Sequence, residues 1–139
     1  MGHVPPGAVS RAGPGPHIPG CERREAGEDG AQALSRRRVS LGAAGESFAA
    51  WWLSSQGLTI LARNVEVGGG EVDIIAADSG TKVVLEVRTS TGPGDPIDAV
   101  DPTKRSHVRR LGARLGASRV DFVGVGFRPW GVVIHWVPG

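Results

Sequence analysis

Residues 68–88 read GGGEVDIIAADSGTKVVLEVR. Two apolar runs flank Ser79-Gly80, a compact turn signal, so the stretch predicts a β-hairpin. The acids Glu71, Asp73 and Glu86 and the base Arg88 interrupt those runs. With a two-residue turn, cross-strand partners have numbers that sum to a constant. Ala77 then faces Lys82, Ile75 faces Val84, Asp73 faces Glu86 and Glu71 faces Arg88. Residues two apart share a face, so all four charged residues fall on one face. Val72, Ile74, Ala76, Val83, Leu85 and Val87 fall on the other, the expected packed side. An odd-length loop would turn one strand over.

Opposed carboxylates repel. At a few Å the cost is about 1 kcal/mol in water and several at lower effective dielectric. Three arrangements relieve it: one acid keeps a proton, Arg88 and its neighbours pair with the acids, or a divalent cation sits between them. Mg²⁺ and similar hard cations take oxygen ligands, often one or two carboxylates plus phosphate oxygens. The expression D-x(n)-E-x-K/R is weak by itself, because acids on a half-exposed sheet are usually only solvated.

Around the hairpin, signals for one domain accumulate. "GAAGESFAAWWLSSQG" sets Phe48 and Trp52 four apart, with Ala49 and Leu53 beside them and Gly57 as a stop, which predicts a helix from about Ser40. Glu46 points along its apolar side, with Ala49, Ala50 and Leu53 at i+3, i+4 and i+7. "LTILARNVEV" predicts a strand before the hairpin. A second helix is expected between Ile97 and Leu115, with Pro102 in its first turn or breaking it. "RVDFVGVGF" and "GVVIHWV" predict two further strands. The order helix, three strands, helix, two strands gives an α/β sheet with helices packed on it.

Residues 1–38 differ in kind. They are rich in Pro, Gly and Arg with almost no apolar period, and are expected to be a disordered tail ahead of a domain at 39–139. Val39 or a nearby residue is a candidate true start. The net charge of +2 sits there too: six arginines and four acids fall before residue 39, and the remainder is balanced. The sequence pI of about 9.3 therefore does not describe the domain, and any nucleic-acid contact must come from local clusters. Cys21 is the single cysteine, which excludes a disulfide framework and a Cys-based zinc site and suits a cytoplasmic protein. No apolar run approaches a membrane span.

The basic cluster is "KRSHVRRLGARLGASR". Arg105 and Arg109 lie one turn apart, as do Arg110 and Arg114, off the Val108/Leu111/Leu115 stripe. They would track phosphates or merely face water. Trp130, after Pro129 in a loop, is the better of four tryptophans for base stacking. His107 is expected to face solvent or phosphate, and His135 to be an outward polar residue on a strand. "VGGGE" lacks Walker spacing and is not a nucleotide cradle.

Taken together, residues from about 40 onward resemble the YraN-like family of bacterial proteins, grouped with PD-(D/E)xK nuclease-like proteins. The matching residues are Gly45-Glu46, Ala50, Leu53, Gly57, Ile60-Leu61, Arg63-Asn64, Gly70 to Ala76, Glu86-Val87, Ala99-Val100, Lys104 and "RVDFVGV". The resemblance implies a restriction-endonuclease-like core, with a mixed sheet of about five strands flanked by helices. It implies a Mg²⁺- or Mn²⁺-dependent nuclease acting on DNA or structured nucleic acid. Asp73 and Glu86 would bind metal, Glu46 would assist, and Arg88 would occupy the catalytic lysine position. Arg63, Lys104, Arg105, Arg109 and Arg110 are the expected nucleic-acid contacts.

The chain departs from the family at Arg88 and Ser90, where E-V-K and a following Arg are usual. Arginine holds phosphate well but does not give up a proton near neutral pH. The alternative is therefore a catalytically degenerate nucleic-acid-binding or adaptor domain of the same fold.

Overall fold

The structure, a computed structural model, describes residues 9–12 and 30–139. Six strands form one sheet in the order β1-β6-β5-β4-β3-β2. The strands are β1 (Val9–Ala12), β2 (Thr59–Val67), β3 (Gly70–Asp78), β4 (Thr81–Ser90), β5 (Arg119–Arg128) and β6 (Gly131–Val137). The helices are α1 (Gly30–Ser55) and α2 (Pro102–Arg114), with a short 3₁₀ turn at Pro96–Ala99. β4 and β5 run parallel and every other neighbouring pair is antiparallel. The expected α/β architecture with a mixed sheet flanked by helices is thus met, and β1 adds a strand to the five anticipated.

Two described pieces of the segment expected to be a structureless tail are ordered. Val9–Ala12 pairs with β6, and α1 starts at Gly30, ten residues before the expected start at Ser40. Residues 31–38, AQALSRRR, are mostly strong helix formers. They lack the amphipathic period that marks a packed helix, which is why they read as linker. The rest of residues 1–38, Cys21 included, lies outside the described residues.

The hairpin register agrees with the sequence. Ile75 pairs with Val84 and Ala77 with Lys82. Ser79 and Gly80 both have positive φ, 51° and 84°, the two-residue turn whose twist suits a hairpin. The face assignment needs correction. Ile74, Ala76, Val83, Leu85 and Val87 pack under α1 with Phe48, Trp52 and Leu53. Ile75 and Val84, expected on the acidic face, pack under α2 with Val108, Leu111 and Phe122. The sheet is covered on both sides, as suits strands joined by a parallel crossover. Val72 joins the α2 cluster and not Ile74. The β3–β4 ladder ends at Ile74↔Leu85, and simple alternation does not carry past that point.

The crossover from β4 to β5 seats the 3₁₀ turn and α2. A Cβ at Gly124 would collide with the Pro96–Ile97 backbone, so a bare residue lets the turn lie on the sheet. Pro102 opens α2 after the N-cap Asp101, whose side chain accepts the Lys104 N–H at 2.8 Å. Among the described residues no helix is long and apolar enough to cross a membrane.

Candidate metal and phosphate site

A cleft of about 500 Å³ opens where β3 and β4 part. Glu46 and Gly42 reach it from α1, Glu71 and Asp73 from β3, Glu86 and Arg88 from β4, and Lys104 and His107 from α2. The parting has a local cause. Beyond Ile74↔Leu85 the Val87 N–H donates to Asp73 Oδ2 at 2.8 Å. A side chain takes the place of a backbone partner, and the strand ends spread around it. α1 closes on β4 here because Gly45 has no Cβ; one would run into the Thr89 hydroxyl.

Three carboxyls meet at Asp73, which lies within side-chain hydrogen-bonding reach of both Glu46 and Glu86. Burial, then the Asp73 charge, push the Glu86 carboxyl up to about 8. The same causes in the same order push Glu46 up to about 7, with Arg63 opposing them. Two acids thus hold protons near neutral pH in the metal-free protein.

Cations rim the site. Lys104 Nζ lies 3.5 Å and Arg88 Nη2 3.7 Å from the same oxygen, Glu86 Oε1. Among the described residues, the other oxygen, Glu86 Oε2, is buried with no hydrogen-bond donor, and Arg88 Nε is likewise buried without an acceptor. A buried polar atom left unpaired is costly, and an acid proton or a cation would relieve that cost at Glu86 Oε2. The chemistry of this donor set suits a hard divalent ion, with Asp73, Glu86 and Glu46 as oxygen ligands. The metal-free arrangement is not a finished cage: among the described residues no three His, Cys, Asp or Glu already stand at ligand spacing.

The predicted nucleic-acid contacts divide. Lys104 lines the cleft. Arg63 sits beside it, donating to Ser47 Oγ at 3.2 Å and lying 3.9 Å from Glu46 Oε2. Arg105 and Arg109 do not line it: their guanidinium carbons stand 5.2 and 5.6 Å from the Phe122 ring centre, and Arg105 also bonds Val100 O. Arg110 is exposed and outside the cleft lining. Helical spacing showed these arginines off the apolar stripe but not which flank of α2 would meet the acids. Trp130, exposed on the β5–β6 turn, does not line the cleft. His135 is no simple outward residue; its Nδ1 lies 2.7 Å from Asp95 Oδ2.

Asn64 had no role in the sequence reading. Turned so that both neighbours are satisfied, its amide nitrogen lies 2.9 Å from Glu46 Oε2 and 3.3 Å from Glu71 Oε1. Its φ of 52° puts it in the left-handed region, which Asn tolerates better than most residues. The available signal was an Asn in the middle of a strand pattern.

The charged residues that line this cleft fall inside the stretch that matches a known family. The family described as "Uncharacterised protein family UPF0102" matches residues 45–125, from the residue before Glu46 to midway along β5. The chain belongs to the UPF0102 family. A UPF0102 protein of Leifsonia xyli is 38% identical over 115 residues, covering 74% of this chain and 97% of that protein. Another, from Acidothermus cellulolyticus, is 43% identical over 90 residues, covering 60% and 68%. A solved structure described as "Crystal structure of SSO0001" overlaps 78% of this chain and 58% of that chain, at 18% identity and a TM-score of 0.38, too low to inform function. The UPF0102 window contains Glu46, Asn64, Asp73, Glu86, Arg88 and Lys104. β1, β6 and the first half of α1 lie outside it.

Proposed function

We propose that this UPF0102 protein is a metal-dependent nuclease-like enzyme of the PD-(D/E)xK type, hydrolysing phosphodiesters in DNA or structured nucleic acid. The observation that carries the reading is Glu86. Its carboxylate is buried beside two cations and the Asp73 carboxyl, and one of its oxygens has no donor among the described residues. Fold stability alone gives no reason to gather three carboxyls there.

In this reading Asp73 and Glu86 hold Mg²⁺ or Mn²⁺, with Glu46 completing or orienting the set. The bound ion would supply Lewis-acid polarisation of a phosphoryl oxygen and a more acidic water. The residues of the chain do the remainder. The Val87 N–H fixes Asp73 in one orientation, the Asn64 amide bridges Glu46 and Glu71, and Arg88 and Lys104 meet the negative charge of the phosphate.

The test is incubation with branched, single-stranded and duplex DNA in Mg²⁺ or Mn²⁺. Wild type is expected to cut at least one of these, and Asp73→Ala to lower the rate by ~10³-fold or more, in the range seen for loss of a main electrostatic contact. Independently of activity, Mn²⁺ should raise the melting temperature of wild type and not of Glu86→Ala. No cleavage together with no Mn²⁺ response sinks the proposal.

A second reading is favoured by Arg88. A guanidinium does not pass protons at neutral pH, and Arg88 Nε is buried without an acceptor. In this reading the chain binds nucleic acid without cutting it. Cleavage by Arg88→Lys but not by wild type would select it.

A further inference from the structure

The cleft contains a second cation, Lys104, that the hairpin motif does not include. Lys104 and Arg88 approach one oxygen, Glu86 Oε1, from opposite elements, α2 and β4, at 3.5 and 3.7 Å. Both separations exceed a good charged hydrogen bond of about 2.8 Å, so each group is held near Glu86 without being tied to it. Their supports differ. Lys104 stands in the first turn of α2, where Pro102 and the Asp101 cap on its own N–H fix its backbone. Its ammonium has three donors that rotate about a flexible stem. Arg88 presents a planar fork whose directions are set, with its Nε facing no acceptor.

We infer that Lys104 orients the attacking water in this chain and that Arg88 is confined to clamping the phosphate; the inference rests on the nuclease reading above. Three rotatable donors let one ammonium turn toward Glu86 Oε1, a water and a phosphate oxygen together, whereas the five donors of a guanidinium lie fixed in one plane. Lys104 keeps its charge throughout. The bond from the water oxygen to phosphorus forms as the bond to the leaving oxygen breaks. One proton of the attacking water passes to bulk water, and bulk water returns one to the leaving oxygen. The lysine role would thus come from α2 and not from β4, which accounts for an intact acid set beside an arginine at position 88.

The experiment compares Lys104→Met, Lys104→Arg, Arg88→Ala and Arg88→Lys with wild type in three measurements. These are kcat and KM on cleaved DNA with Mn²⁺, affinity for the same DNA with Ca²⁺, and melting temperature. Lys104→Met is expected to lower kcat ~10²-fold or more, with KM and Ca²⁺ affinity within about threefold of wild type, the pattern of a contact made in the transition state. Lys104→Arg, which keeps a cation against Glu86, should restore the melting temperature but not kcat. Arg88→Ala should act mainly on KM and affinity. Adding Arg88→Lys to Lys104→Met should recover part of kcat.

Lys104→Met or Lys104→Arg cutting as fast as wild type overturns the inference while leaving the nuclease reading intact. A wild type that does not cut beside an Arg88→Lys that does also overturns the inference, because position 88 is then indispensable, and it selects the non-cutting reading over the nuclease one. Absence of cleavage in both overturns inference and reading together.

Discussion

Among the described residues two carboxylates are almost wholly buried, and they live differently. Asp121 on β5 has every oxygen served. Oδ1 accepts from Arg119 Nε at 2.8 Å and from the Gly139 N–H at 3.1 Å, and Oδ2 accepts from Arg119 Nη2 at 3.0 Å and from Trp136 Nε1 at 2.9 Å. Glu86 on β4 has two cations at 3.5 and 3.7 Å on one oxygen and, among the described residues, no donor on the other. Burial of a charge is tolerated where hydrogen bonds replace water. Asp121 meets that condition within the chain, and Glu86 does not. The shortage marks Glu86 as a place where something from outside is expected, since strain at a site is retained when function uses it. The contrast is open to attack from either end.

The largest effect is expected at Asp121. Asp121→Ala removes the acceptor for Arg119, Trp136 and the Gly139 N–H together. Breaking a buried pair by deleting one partner costs about 3–5 kcal/mol, and Trp136 also stacks edge-on against Trp52 at 6.0 Å in the α1-side core. Urea unfolding of Asp121→Ala should show a loss of that size, and Asp121→Asn, which can still accept, a smaller one. Mn²⁺ should not repair either. A loss under about 1 kcal/mol would mean that the four donors find other partners and that Asp121 is not the satisfied member of the pair.

Of intermediate size is the pH dependence of the metal-free protein. Glu46 and Glu86 titrate near 7 and 8 when folded, against an ordinary 4.5. Between 4.5 and those values the folded chain binds more protons than the unfolded chain. The derivative of unfolding free energy with pH is then negative. These two groups therefore give their full contribution below pH 4.5 and lose it as pH rises through about 7 and then 8. In EDTA, the urea midpoint should fall across that window and level off above it. Glu86→Gln keeps a neutral side chain at every pH and offers an amide donor beside Asp73. It should flatten the upper part of the fall and gain on the order of 1 kcal/mol at pH 9 relative to wild type, the usual scale for relieving a strained functional residue. Mn²⁺ should oppose the fall in wild type only. An unchanged slope in Glu86→Gln would show that the proton is held elsewhere.

The sequence disclosed one of these two environments and hid the other. Asp73, Glu86 and Arg88 stood out because the Ser79-Gly80 turn fixed the hairpin register and charges interrupted apolar runs; Glu46 stood out as an acid on the apolar side of a predicted helix, and its role came only from the family resemblance. The element order was legible for similar reasons: strong alternation in β3 to β6, and the Phe48/Trp52 spacing in α1. The Asp121 cage was not, since its donors come from 2 residues away on β5, 15 away on β6 and 18 away at Gly139, and no local pattern announces a long-range hydrogen bond. The two-sided burial of the hairpin was misread because Ile75 and Val84 are cross-strand partners on the acidic face, and only the crossover to α2 decides that this face is covered. The early part of α1 was missed because helix propensity without amphipathicity looks like a linker. Arg105 and Arg109 were legible as charges but not as partners of Phe122, whose position depends on how α2 sits on β5.

The smallest effect concerns Asn64, which is to the acid cleft what the Trp136 indole is to Asp121: a neutral donor on a carboxylate. It differs in that its backbone is also unusual, with φ at 52°. Two substitutions separate these roles. Asn64→Ala loses the amide and also meets the left-handed penalty of roughly 1 kcal/mol. Asn64→Gly loses the amide but keeps the backbone free. If only the backbone conformation mattered, Asn64→Gly would match wild type both in EDTA and in Mn²⁺. Glu46 and Glu71 lose a shared donor in either variant, and their repulsion is then relieved only by a cation or by protons. Asn64→Gly should therefore be within about 0.5 kcal/mol of wild type in EDTA at pH 6, where Glu46 still holds its proton. It should fall further behind at pH 8 and recover more than wild type does when Mn²⁺ is added. Equal responses of Asn64→Gly and wild type to pH and to Mn²⁺ would place Asn64 outside the acid cluster and leave Asp73 and Glu86 as its functional centre.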